Sequence, residues 1–163
     1  MDMRRKDPKE FRNALGQFAT GVTVITSLDK DGNKVGMTAN SFSSVSLDPM
    51  LVLWSIAKTS GNFEAFNQTD HFAIHVLNAE QQQVSNQFAS KAADRFEGID
   101  CTLGHAGLPL LPDYGAVFQC DTEARYEGGD HIILVGRVMD FDYKSHAPLI
   151  FHAGRYADLP AAQ

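Results

Sequence analysis

The spacing of apolar and polar positions changes several times along the chain. Phe11, Leu15 and Phe18 recur at three- and four-residue intervals, with Pro8 in the first turn, and predict a short helix over 7–18. The β-branched run GVTVITS (21–27) predicts a strand, and Asp31-Gly32 within DKDGNK predicts the hairpin turn after it. The returning strand holds GMTANSFSSVSLDP (36–49). LVLWS (51–55) then reads as an apolar strand after the Asp48-Pro49 break, and HFAIHVLN (71–78) as another. Between these two, 60–67 predicts a short helix with Phe63 and Phe66 inward. Asn78 is placed to cap a second helix over 79–89, with Gln81 at the capping-box position and Val84 and Phe88 on one face. The stretch 101–114 is rich in Gly and Pro and reads as loop. Two long strands, 116–126 and 131–143, flank the tight turn EGGD, and 148–152 is a last short strand before AGRY.

Six or seven strands joined by hairpins or short helices, with no regular βαβαβ alternation, predict a mainly β domain. A closed or nearly closed antiparallel barrel with a few short helices suits this pattern, because closure removes exposed edges. A length of 163 residues is enough for one such domain, 1–163, with its core over about 11–156. Hydrophobic residues at 44% and charged residues at 21% exclude wholesale disorder. The net charge of −6 and pI near 5.4 argue against nucleic acid as a partner. The one basic run, RRK at 4–6, reads as solubilising. No apolar stretch approaches the roughly 20 residues of a membrane span. No apolar segment follows the charges of MDMRRKDPKEF, so no secretory signal is expected and the cytoplasm is the expected location. Cys101 and Cys120, far apart and outside any CxxC, are expected as free thiols.

The candidate chemistry begins with a gap in the charge pattern. From Val35 to Leu47 there is no charged residue, yet the run holds Thr38, Asn40, Ser41, Ser43, Ser44 and Ser46. Strand alternation would turn Thr38, Asn40 and Phe42 one way and Ala39, Ser41 and Ser43 the other. Such a surface suits a flat, uncharged heteroaromatic ring edged with N and C=O groups, such as a flavin isoalloxazine; equally, the hydroxyls suit the filling of a tight barrel corner. SIAKTSGN (55–62) joins a strand end to a helix start, and Ser55, Lys58, Thr59 and Ser60 there offer donors and a cation to a phosphate; the bland reading is a helix cap beside a surface lysine. His131 opens a strand after a tight turn, where it can project over a cleft or serve structurally. Tyr156 in AGRY suits stacking on a nicotinamide or adenine, or a place at the core edge. His71 and His75 lie four apart without an HExxH, and His105, His146 and His152 are scattered, so no metal site is expected. GxSxG and GxGxxG are both absent.

Taken in order, GVTVITS, GMTANSFSSVSLDP, SIAKTSGNF, GDH and HAGRY resemble the short-chain flavin reductase family, which includes the reductase components of two-component flavin monooxygenases. The resemblance runs from about Phe11 to Tyr156, with one departure at Met50, where a second proline is usual. It implies a Greek-key split β-barrel, a homodimer, and flavin near the interface. Met37, Thr38, Ala39, Asn40 and Ser41 would line the flavin ring. Ser55, Ile56, Ala57, Lys58, Thr59, Ser60 and Gly61 would hold its ribityl chain and phosphate, and Ser85 and Phe88 would border its tail. His131, Ala153, Gly154, Arg155 and Tyr156 would meet the nicotinamide. The implied reaction is hydride transfer from C4 of NADH, with NADPH the alternative, to N5 of FMN or FAD. Reduced flavin would then pass to a partner monooxygenase. The rivals are a pyridoxamine-phosphate-oxidase-like oxidase, a non-catalytic flavin-binding or electron-carrier module, and a plain ligand-binding barrel. GDH and GRY favour the reductase.

Overall fold

The computed structural model describes residues 7–160, so the RRK run lies outside the described residues. The first element is helix α1 (Pro8–Leu15), started by Asp7, whose carboxylate accepts the Lys9 N–H at 2.9 Å. Strands β1 (Thr20–Gly21), β2 (Thr23–Leu28), β3 (Lys34–Ala39), β4 (Ser43–Leu47) and β5 (Met50–Ala57) follow. Next come helix α2 (Phe63–Gln68), strand β6 (His71–Val76) and helix α3 (Gln82–Ala89). The chain continues through β7 (Thr102–Leu103), a 3₁₀ turn (His105–Gly107), β8 (Pro109–Leu110), β9 (Ala116–Gly128), β10 (His131–Tyr143), β11 (Ile150–His152) and β12 (Arg155–Ala157).

Seven strands form one antiparallel sheet in the order β3-β2-β6-β9-β10-β5-β4. Strands β6, β9 and β10 are spatial neighbours in chain order, and β5, which precedes them, returns to lie beside β10, which is a Greek key. β3 and β4 stand at opposite ends of this order although only 40–42 separates them, so the curled sheet is split between its two edge strands. Ser41 spans part of that split: its hydroxyl donates to Ser55 O at 3.1 Å and accepts from Ser55 N at 2.9 Å. Inside, Ile25, Trp54, Ile56, Phe66, Phe72, Ile74 and Leu134 are wholly buried, and Trp54 meets Phe66 edge-on at 5.0 Å. Each such side chain contributes about 1.5–3 kcal/mol by leaving water. A second cluster, with Val24, Leu77, Phe88 and Phe96, seats α3 against the sheet.

The structure alters four expectations. GMTANSFSSVSLDP is two strands rather than one, because the chain crosses there from one edge of the barrel to the other. Strand alternation therefore stops at 40–42: Ala39 and Phe42 both pack on the barrel core, whereas Thr38 turns outward to α3. α3 begins at Gln82; Asn78 N does donate to Gln81 Oε1, and Glu80 N to Asn78 Oδ1, both at 2.9 Å, but these bonds close the turn before the helix. The stretch 101–114, read as loop, carries the β7–β8 pair and a 3₁₀ turn, and it docks on the barrel through buried Leu108 and Leu111 and through Pro109 O, which accepts from the Thr26 hydroxyl at 2.6 Å. Finally, β12 exists because Ala153 (φ 50°) and Gly154 (φ 77°) make a two-residue hairpin turn with left-handed backbone at both positions. Among the described residues no helix is long and apolar enough to cross a membrane.

Candidate active site

A cleft of about 790 Å³ opens beside α1. Asn40 and Ser41, from the β3–β4 crossing, form one wall, and Phe151, Ala153 and Gly154, from the β11–β12 hairpin, form another. Two segments more than a hundred positions apart in sequence are thereby brought together. The β11 side of the hairpin turn is tied down twice: Ala153 N donates to Gly16 O at 2.8 Å, and β11 pairs with β1. α1 closes the third side through Arg12, Asn13 and Gly16. These helix residues, together with Thr20, went unnoticed in the sequence because they form no motif; only the docking of Gly16 on Ala153 makes them a wall. Thr20 Oγ1 is buried without a hydrogen-bond partner among the described residues, and Thr20 lines the cleft.

A second group of site candidates sits at the far end of β5. Ala57 pairs with His131 across the β5–β10 ladder, and Lys58 N donates to Asp130 O at 2.9 Å. The turn after β5 and the tip of the β9–β10 hairpin therefore form one unit. Lys58 Nζ reaches Glu127 at 2.6 Å, and His131 Nδ1 lies 2.7 Å from Asp130 Oδ1. The imidazole contact holds the Asp130 carboxyl below its usual range. His131 is partly exposed, and Lys58, Thr59 and Gly61 are exposed. Ser60 O accepts from Phe63 N at 3.0 Å, and the Ser60 hydroxyl takes the Asn62 N–H at 3.2 Å, which opens α2. Ser55, bonded to Ser41, lies two residues from Ala57 along β5, about 7 Å at the rise of a strand. The two groups of candidates thus share one strand.

The remaining candidates join at α3. Thr38 Oγ1 donates to Ser85 O at 2.7 Å, the Ser85 hydroxyl lies 2.7 Å from the Tyr156 hydroxyl, and Tyr156 also donates to Asn86 Oδ1 at 3.0 Å. Tyr156 thereby pins the chain end to α3, with its ring against Phe151 at 5.4 Å. Met37 packs on the barrel core, and Arg155 is exposed at the start of β12. Ile56, Ser85 and Phe88 are wholly buried, so their side chains offer a ligand no surface in the single chain. Phe88 instead meets Phe96 edge-on at 4.9 Å. His75, paired by spacing with His71, is also wholly buried and bonds Val24 O at 3.0 Å instead of sharing a partner with it.

This architecture is shared by known proteins. The profile of the "Flavin reductase like domain" family matches residues 15–160, and this chain belongs to that family. It is similar to the FMN reductase (NADH) SmoA of Agrobacterium fabrum, at 44% identity over 93% of this chain and 86% of that relative. It is similar also to the reductase component of the flavin-dependent trigonelline monooxygenase of Acinetobacter baylyi, at 46% identity over 91% of this chain and 48% of that one. The chain thus spans about half the length of some curated relatives that it matches. Among solved structures, the Streptomyces globisporus NADH:FAD oxidoreductase SgcE6, in complex with NAD and FAD fragments, superposes with a TM-score of 0.90 at 36% identity, covering 96% of this chain and 94% of that one.

Proposed function

We propose that this chain takes reducing equivalents from NADH, with NADPH the weaker alternative, and delivers them to an exchanging FMN or FAD for use by a partner monooxygenase. The observation that carries this reading is the cleft where Asn40 and Ser41 face the Ala153–Gly154 turn, in a chain of the flavin reductase like family. The residues present fit a flavin. The cleft has the volume of a small-molecule site, the wall at 40–41 is uncharged, and the unpartnered Thr20 hydroxyl offers a hydrogen bond there. When bound together, flavin and nicotinamide supply the hydride chemistry themselves.

The chain's own residues bind, orient and exclude water. Asn40 and Ser41 hold the ring edge, and Met37, Thr38 and Ala39 fix that ledge to the barrel and α3. Lys58, Thr59, Ser60 and Gly61 offer charge and donors to a phosphate, for which Lys58 must leave Glu127. His131 orients the nicotinamide, its ring aimed by Asp130. Ala153 and Gly154 form the opposite wall; Arg155 and Tyr156 follow them in β12, where Tyr156 is bonded to Ser85 and shares a cluster with Phe88. The chain works as a single domain, in the cytoplasm, as a homodimer. The free thiols at Cys101 and Cys120 support the location, and the apolar stripe of α1 supports the pairing.

The test is a matrix of FMN and FAD against NADH and NADPH, followed at the nicotinamide band. Turnover is expected, fastest with NADH. His131→Ala is expected to raise the nicotinamide KM or slow hydride transfer by roughly tenfold, the size of one lost hydrogen bond. Flavin binding without any NADH consumption would make the chain a carrier and end the reading.

A further inference from the structure

Away from the cleft, three groups that the sequence keeps far apart converge. His71 opens β6, Asp121 is its Cα partner on β9, and His105 stands in the 3₁₀ turn between β7 and β8. His71 Nδ1 and His105 Nε2 each lie 2.7 Å from the same oxygen, Asp121 Oδ1. All three ligand atoms fall within 4.8 Å of one another, and the two rings stand at 87° with centroids 5.4 Å apart. The side chains are 39%, 32% and 38% exposed, enough for an ion to enter from water. Gln119, buried on the same face of β9, accepts the His105 N–H at 2.6 Å and fixes the turn.

We propose that His71, His105 and Asp121 bind a divalent first-row transition-metal ion, with a further position open to water. Two imidazoles and a carboxylate are a donor set such ions take. Bonds of about 2.0–2.2 Å place tetrahedral donors about 3.3 Å apart, so the two N···O contacts would lengthen by about 0.6 Å while the two nitrogens, within 4.8 Å of each other, close on the ion. Each nitrogen now donating to Asp121 yields its proton, and the same ring takes one up from water at its other nitrogen. His71 Nε2 and His105 Nδ1 have no hydrogen-bond partner among the described residues and are available for this. Both rings stay neutral, and the carboxylate offsets one charge of the ion. The facing cation, Arg137, is held by Glu123 through two bonds of 3.1 Å, and Arg125 donates to Thr69 O. The expectation of no metal site arose because spacing pairs His71 with His75, whereas the fold pairs it with His105.

The test titrates the chelator-treated full chain with Zn(II) by calorimetry and with Co(II) by absorption. One equivalent per chain and a higher Tm with zinc are expected. His105→Gln and Asp121→Asn are each expected to weaken binding by roughly tenfold or more. Both should leave flavin reduction unchanged, since none of the three residues lines the cleft. The ring-proton resonances of His71 and His105 in the wild-type chain report the site without any substitution and should shift with Zn(II). Unmoved resonances, or affinity kept in both variants, would overturn the proposal.

Discussion

His75 shows what one buried side chain contributes when its neighbours are all uncharged. Its Nε2 accepts from Leu111 N at 3.1 Å, so Nδ1 carries the proton and donates to Val24 O. Burial pushes its pKa from 6.5 down to about 4. The unfolded chain therefore binds a proton that the folded chain refuses. Both states are neutral above about pH 6.5, and stability is lost as pH falls from there toward about 4. The full loss is about 3 kcal/mol. Urea midpoints measured from neutral to acidic pH are expected to fall more steeply in the wild type than in His75→Gln, which is less stable but lacks the titration. Parallel curves would show that the charge state of His75 is irrelevant. The histidines are also where residue-level reading of the sequence reaches its limit. Whether an imidazole is core, surface or half of a pair depends on which strand lies beside it, and spacing along one strand carries no such information.

Strands β9 and β10 carry the longest ladder, and it is irregular where it matters. The register shifts between Val135 and Gly136, and Gly136 faces the core at that shift. A Cβ added there would lie 2.7 Å from Phe72 Cζ and 2.9 Å from Cys120 Cβ. Gly136→Ala is accordingly expected to destabilise by about 1–3 kcal/mol through overpacking, read as a lower thermal midpoint. A midpoint equal to wild type would mean that the strand relaxes freely. Most elements were legible from composition and turn chemistry: β2, β5, β6 and β10 fall on the β-branched and apolar stretches read as strands, and EGGD makes the hairpin. The misses have two causes. The split of 36–49 into two strands is set by the crossing from one edge of the barrel to the other, which local pattern does not encode; β7, β8 and β12 are local pairings only two or three residues long, too short to show a period.

At the scale of the whole molecule, the polar run 35–47 stands out in the sequence as a candidate ledge and the family resemblance names Ala153 and Gly154 across from it, but the α1 wall is not legible. The ledge has a compositional signature, a charge-free stretch of small polar groups. The cleft exists only because α1 docks its C-terminal Gly16 on the Ala153 turn. That docking uses none of the α1 apolar stripe: Phe11 and Leu15 remain 63% and 59% exposed, and Phe18 just beyond remains 78% exposed. A surface of this kind, contiguous with the proposed site, fits association with a second copy. Sedimentation equilibrium is expected to give about twice the 17.9 kDa chain mass, and Phe11→Glu with Leu15→Glu is expected to return the single-chain value. A wild-type chain that sediments at its own mass would remove the pairing from the proposed function.

The Lys58–Asp130 backbone bond carries a lesson for engineering. It rivets the turn that would grip a phosphate to the hairpin tip that bears His131. Anyone grafting a different cofactor preference onto this barrel must transplant both loops as one cassette. Swapping either alone would leave half of the clamp cut for another guest.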